Sequence, residues 1–343
     1  MDKKYLEHVA DLHRRAFTVD AHCDLTYDVD LRRMRGETKV VERHYLSHFK
    51  TSGFNLIVSA IFINDIFLPE MGLRKALDQI SHLHDEIDES PGKFKICHTA
   101  AEAFVARGAG EVAIFLSLEG ADPLQNDLGL LRIFYELGVR GLGLTWSRRN
   151  YAADGAFFKN KREGRKGGLT PFGVDLIEKA EKLGMFIDIS HLNDEGFADV
   201  LDVATKPIIA SHSNCRSLAG SMRNLTDAQI TAIARTNGVV GMNALNVFVR
   251  DNEPNVTVSH FIDHVDHIVD IAGIEHVGIG FDLCDNHLDF LQMVPNLDSH
   301  DIIETHAGLG EFTCELILRG YSDEDILAIL GGNFIRVFTD ILD

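Results

Sequence analysis

The 343-residue sequence predicts an α/β fold, a (β/α)8 TIM-type barrel with an extra helix at each terminus. Three observations carry that reading. Eight short apolar runs bounded by turn residues have the pattern of strands buried on both faces. Amphipathic stretches of helical period lie between many of them. No G-x-G-x-x-G follows the first run and no Walker loop occurs, so the signatures of an open, doubly wound sheet are missing.

The expected strands are 17–22 (FTVDAH), 54–63 (FNLIVSAIFI), 111–118 (EVAIFLSL), 139–145 (VRGLGLT), 185–190 (MFIDIS), 207–212 (PIIASH), 238–244 (GVVGMNA) and 276–281 (HVGIGF). Helical patterns occupy 72–89, 125–137, 172–183, 194–204, 226–236 and 257–272. Gly138, Gly184, Gly238 and Gly273 read as left-handed stops, and Asn193 and Thr226 as helix caps. Terminal helices over about 2–16 and 323–341 flank a barrel core of about 17–320. No Pro/Gly/Ser linker divides the chain, so residues 1–343 read as one domain.

Apolar residues at 45% and charged residues at 25% exclude disordered and fibrous classes. With 33 Lys+Arg against 52 Asp+Glu the net charge is −19, which excludes nucleic acid and anionic membrane surfaces as partners. The opening MDKKYLEHVADLHRRAF has no apolar h-region, and no run of 18 apolar residues or lipid-anchor tail occurs. Five cysteines, an odd number without a C-x-x-C pair, fit a reducing compartment. A cytoplasmic protein is expected.

Residues 146–170 (WSRRNYAADGAFFKNKREGRKGGLT) form a 25-residue connection with seven Lys/Arg, long for a compact barrel. Two readings stay open: a solvated surface excursion, or a lid whose cations meet an anionic substrate.

Barrels of this type place their chemistry at the C-terminal strand ends. The first strand ends Asp20-Ala-His22-Cys-Asp24, and alternation turns His22 and Asp24 the same way. The third ends Leu118-Glu119, the fifth Asp188-Ile-Ser190-His191, the sixth Ser211-His212 and the eighth Phe281-Asp282. Each alone is a strand-end polar group of the kind that bonds locally. Six of them on five strands point to Zn2+ or a similar first-row ion. Such a set exceeds what one catalytic zinc needs, which suggests two ions with Glu119 as candidate bridge.

Other candidates carry less. His260, His264 and His267 share a helix face but lack a zincin glutamate, and read as a solvated face. His44, His48, His82, His84 and His98 show no ligand spacing. No G-x-S-x-G elbow occurs, and Cys23 reads as packed.

Four stretches, DAHCD at 20–24, SLEGADPL at 117–124, IDISHLND at 187–194 and ASHSNCRSLAGSMRNLTD at 210–227, carry a likeness. With HVGIGFD at 276–282 and ILGGNFIRVF at 329–338 they span nearly the whole chain. It resembles the membrane (renal) dipeptidase family, zinc metallopeptidases of the amidohydrolase-like superfamily. The resemblance implies two zinc ions per subunit, with His22 and Asp24 on the first, His191 and His212 on the second, and Glu119 bridging. Asp282 matches the aspartate beside the metal-bridging water, and Arg223 the arginine that holds the substrate's terminal carboxylate.

The implied function is a zinc-dependent dipeptidase acting on short peptides with a free C-terminus, including a D-residue at that position, by a metal-bridging hydroxide. Its partner is a dipeptide substrate, and a homodimer is an admitted assembly. Many animal members are secreted and lipid-anchored; this sequence, with neither signal, looks like a soluble bacterial-type relative. The departure lies in the fourth strand, where better-known members read L-T-H-N and this chain reads Leu144-Thr145-Trp146-Ser147. Trp146 lacks the cationic form of that histidine, and Arg148, Arg149 or Asn150 are candidates to reach in. Trp146 and Asn150 join Arg223 as expected substrate contacts. The alternatives are another metal hydrolase of this superfamily, acting on cyclic amides or lactones or as a deaminase, and a non-catalytic metal-binding protein.

Overall fold

The structure, a computed structural model, describes residues 3–158, 164–253, 255–284 and 299–343. Each of the eight expected runs supplies one strand. They are β1 (Thr18–Cys23), β2 (Phe54–Phe62), β4 (Val112–Glu119), β5 (Val139–Gly143), β6 (Phe186–Asp188), β7 (Ile208–Ala210), β8 (Val239–Met242) and β9 (Val277–Ile279). An unforeseen short strand, β3 (Phe94–Ile96), pairs with β4 off the main path. The order is β1-β2-β4-β5-β6-β7-β8-β9, with every pair parallel. This is a nearly closed (β/α)8 barrel.

The seam between β9 and β1 is held by single bonds. The Asp282 N–H donates to the His22 carbonyl at 3.3 Å, and the Phe281 N–H to Asp20 Oδ1 at 3.0 Å. Strands β6 to β9 are shorter than their apolar runs, and the chain turns left-handed soon after β6 at His191 (φ 68°) and after β9 at Asp282 (φ 55°).

Alternation sends Val19, Leu56, Val58, Ala113, Phe115, Phe186, Ile209 and Val239 into one buried cluster inside the barrel. The same cluster takes in Phe334, Val337 and Phe338. The expected C-terminal helix is three pieces: Asp323–Leu327, a π turn at Ala328–Gly332, and a final helix Asn333–Leu342. Its spacing puts Phe334 and Phe338 on the face that plugs the barrel, with the Phe338 ring 5.5 Å from Phe115 and 5.0 Å from Phe186. Gly278 admits the plug, since a Cβ there would lie 2.6 Å from the Phe334 ring. A second, larger core lies between strands and outer helices.

The helix Asp227–Arg235 opens as expected on Thr226, in a capping box with Gln229. The left-handed residue after it is Asn237 (φ 66°), not Gly238 as expected. Gly238 answers to packing instead, because a Cβ there would lie 1.9 Å from the Ile208 carbonyl.

One further expectation is corrected, and one open choice is narrowed. His264 is fully buried, not solvated: its Nδ1 accepts the Cys215 N–H at 3.0 Å, so the proton sits on Nε2, 2.9 Å from the Val249 carbonyl. His267 instead faces Asp227 and His260 faces Thr257, so the three histidines do not converge. The start of the 146–170 connection is packed rather than a solvated excursion, with Ala152, Ala153 and Ala156 buried. Arg148 pairs with Asp65 at 2.6 Å and Asp122 at 3.3 Å, and Arg149 pairs with Asp154. Lys159, Lys161 and Arg162 lie outside the described residues.

Among the described residues no helix is long and apolar enough to cross a membrane. All five cysteines are unpaired and buried.

Candidate metal centre

Along β4 the inward positions run Ala113, Phe115, Ser117, Glu119, so one face changes from apolar to ionisable at the strand exit. The same inward face of β6 ends at Asp188, after Phe186. These side chains are aimed by pleat alone. His191 and Asp282 are aimed differently, each by a left-handed backbone that β-extended geometry would not supply. Strained residues of this kind gather at functional sites.

Two donor groups share one carboxylate. His22, Asp24 and Glu119 offer one ligand atom each within 4.8 Å of one another, and so do Glu119, His191 and His212. Glu119 Oε1 lies 3.7 Å from His22 Nε2, 3.0 Å from His191 Nε2 and 3.8 Å from His212 Nε2. The Nε2 atoms of His191 and His212 are 2.9 Å apart. Asp282 Oδ1 faces His22 Nε2 at 3.7 Å, and its Oδ2 accepts from the Asn243 amide at 2.8 Å. All six expected residues thus meet at the mouth of the barrel.

Burial, then the Asp24 and Asp282 carboxylates, push the Glu119 carboxyl well above the ordinary range. Burial raises Asp282 to about 7. Burial holds His191 and His212 well below the usual imidazole value, so their ring lone pairs are free of protons. Crowded carboxylates beside neutral imidazoles are what cations would relieve. Glu119 Oε2 is buried and has no hydrogen-bond partner among the described residues. Mixed His/carboxylate donors of this kind fit zinc or a similar ion.

Supporting contacts that the sequence does not announce hold these donors. Ser211 Oγ donates to Asp188 Oδ2 at 2.5 Å and lies 2.7 Å from His212 Nδ1. Ser147 Oγ lies 2.9 Å from His191 Nδ1, and the Ala156 N–H donates to the His191 carbonyl at 2.6 Å. The packed start of the long connection therefore clasps one donor. Asp20 Oδ2 meets His306 Nε2 at 2.7 Å while Oδ1 accepts the His22 N–H at 3.2 Å. The His-carboxylate spacing was the readable signal; Ser147 and His306 had none.

Arg223 is buried at 3% exposure, with Nη2 donating to the His212 carbonyl at 3.3 Å and Nε without a partner among the described residues. Burial lowers its pKa to about 10, which leaves it cationic at neutral pH. The Trp146 ring lies 5.8 Å from His191. Asn150 is placed otherwise: its Nδ2 donates to the Leu144 carbonyl at 2.9 Å and its Oδ1 accepts the Ala152 N–H at 2.8 Å. Its amide shapes the connection. Arg148 and Arg149 are held by the carboxylates described above.

A family model described as membrane dipeptidase (peptidase family M19) matches residues 6–343. The chain is 31% identical over 269 residues to the "uncharacterized protein in pqqA 5'region" of Klebsiella pneumoniae, covering 77% of this chain and 94% of that one. It is 28% identical over 276 residues to the dipeptidase tcpJ of Claviceps purpurea, covering 79% and 61%. A Rhodobacter sphaeroides metallopeptidase, solved with a phosphinate mimic of the dipeptide L-Ala-D-Ala, is similar at TM-score 0.82 and 26% identity, covering 94% and 99%. A barrel with these donors at its mouth and a match along almost its full length places the chain in the membrane dipeptidase family, peptidase family M19.

Proposed function

We propose that this M19 metallo-dipeptidase uses two zinc ions to hydrolyse dipeptides with a free C-terminus, D-residues at that position included. One observation carries the reading: Glu119 belongs to two donor groups at once, with His22 and Asp24 on one side and His191 and His212 on the other. Bound there, two such ions would acidify a water and polarise the scissile carbonyl. The relative solved with an L-Ala-D-Ala mimic supports the C-terminal D-residue.

This chain's own residues do the rest. Asp282, raised to about 7, takes the attacking water's proton at Oδ1 while Asn243 holds Oδ2. The same oxygen returns it to the leaving amine. Arg223 offers a buried guanidinium to the substrate carboxylate, which suits short substrates. Trp146 flanks the site as an apolar surface. The final helix plugs the barrel opened by β1, which supports one domain over 1–343. The unpaired cysteines support a reducing compartment.

The test is metal analysis beside a panel of L- and D-dipeptides, their C-terminal amides, cyclic amides and lactones. Two ions per chain and turnover confined to free-carboxylate dipeptides are expected. One ion per chain defeats the bridging role of Glu119; activity only on lactones or cyclic amides defeats the substrate assignment.

A further inference from the structure

Four aromatic rings run in successive contact beside the mouth of the barrel. The Phe62 ring is 5.1 Å from Trp146, Trp146 is 5.4 Å from Phe158, and Phe158 stacks on Phe248 at 5.7 Å. The wall passes directly beside a metal donor, since His191 lies 5.8 Å from Trp146 and 6.0 Å from Phe158. Phe248 belongs to a small apolar cluster with Leu245 and Cys284, apart from the two large cores, and Phe158 packs on it half-buried. Phe62 and Phe248 are buried; Trp146 and Phe158 are only partly buried.

We propose that this wall is the subsite for the side chain of the dipeptide's N-terminal residue, and that it selects apolar and above all aromatic side chains there. The proposal rests on the dipeptidase reading with Arg223 as carboxylate anchor. The direction of the substrate follows from the two ends of the wall. The Arg223 guanidinium lies over Phe248 at 5.6 Å, which marks the carboxylate end. Phe62 is the register partner of Glu119, which puts the other end beside the shared carboxylate. A peptide anchored at Arg223 with its scissile bond over Glu119 and His191 therefore lays its N-terminal side chain against Trp146 and Phe62.

The chemistry of the wall explains the selection. Open ring surface beside a buried site releases water when an apolar side chain covers it, and aromatic rings add edge or offset contacts. Among the described residues, a charged side chain at the Trp146 end of this wall meets no free counter-charge, Arg223 at the far end being taken by the substrate carboxylate. The one cation on Trp146, Arg148 at 5.3 Å, is already paired with Asp65 and Asp122 and donates to the Ile63 carbonyl. It occupies the cation–π position that a substrate lysine would want.

The test measures kcat/KM of the metal-loaded enzyme on X-Ala dipeptides with X as Phe, Leu, Gly, Glu or Lys. Phe and Leu should exceed Gly, Glu and Lys by about tenfold or more. Trp146→Ala should cut the Phe/Gly ratio by about tenfold, Trp146→Phe should recover most of it, and the ratios in an Ala-X series should move far less. Trp146 is the sole tryptophan, so its emission should change saturably when a phosphinate mimic with an N-terminal aromatic residue binds the unmutated enzyme. Dipeptide turnover with no preference at X, a preference for Lys or Glu, or a shift confined to the Ala-X series overturns the subsite alone. Turnover of no dipeptide overturns the dipeptidase reading and the subsite with it.

Discussion

Asp188 and Ser211 are joined by a 2.5 Å hydrogen bond in which the Ser211 hydroxyl donates and the Asp188 carboxylate accepts. Because that hydroxyl hydrogen is taken, Ser211 Oγ is left to accept, and the His212 Nδ1 at 2.7 Å supplies the proton. The His212 Nε2 lone pair then points at the centre it shares with Glu119. Ser211→Ala removes this relay without touching a donor, and should weaken metal binding by about 10- to 100-fold. Competition against a chelator measures it; an unchanged affinity would show that packing alone orients the ring.

In the proposed reaction Asp282 carries a proton, and it belongs to neither of the two donor groups that share Glu119. Asp282→Asn keeps its size and its contact with Asn243. Metal content should stay at the wild-type ratio while kcat falls by about 10²- to 10⁴-fold. Wild-type kcat in this variant would remove Asp282 from the reaction.

Arg223 is a buried cation, and the proposed function gives it the substrate carboxylate. Arg223→Met should lower kcat/KM for free-carboxylate dipeptides by about 100-fold, chiefly through KM. The corresponding dipeptide amides should respond much less. Equal losses on acid and amide would mean that Arg223 supports His212 rather than the substrate.

The metal-free protein should lose stability as pH rises above about 7.5. Asp282 is raised from 3.8 to about 7 in the folded state and Glu119 lies well above 4.5, so each holds a proton that the unfolded chain releases earlier. Their contribution is present at low pH and is lost as pH rises through the folded values. His191 and His212 act oppositely, being held below 6.5 when folded, so their contribution is lost as pH falls below 6.5. At 6.5 the unfolded imidazoles are still half protonated, so their gain opposes the carboxylate loss until about 7.5, beyond which only the carboxylates slope the curve. Thermal unfolding of chelator-treated protein at about pH 7.5 and 8.5 should show the drop. It should shrink in Asp282→Asn and disappear on adding metal; a flat profile would contradict the carboxylate shifts.

His306 joins the last part of the chain to the first strand. Its Nε2 meets Asp20, and its ring lies edge-on to Phe49 at 4.7 Å and Phe54 at 5.0 Å. His306→Ala leaves a buried carboxylate oxygen without that partner and should cost about 2 kcal/mol. Urea unfolding measures the loss; a change within about 0.5 kcal/mol would make the contact dispensable.

The barrel was legible because its signals are local. Apolar runs and their two-residue alternation read directly as inward and outward faces, and His22, Asp24, Glu119, His191, His212 and Asp282 stand where those runs end. Strand β3 escaped notice because three residues carry no measurable period. The solvated reading of His264 failed because helical spacing says which residues share a face, not what packs on it.

By itself, then, the sequence determined the fold class, the kinds of donor and the strand ends that bear them. Only the tertiary structure decided that Glu119 stands between two donor groups, that Asp188 and Ser211 set one imidazole, and that Asn150 turns its amide into its own connection. It alone drew Phe62, Trp146, Phe158 and Phe248 into one wall. Strand pattern follows from a two-residue period written in the chain, whereas these contacts depend on where long connections close, and no local period encodes that closure.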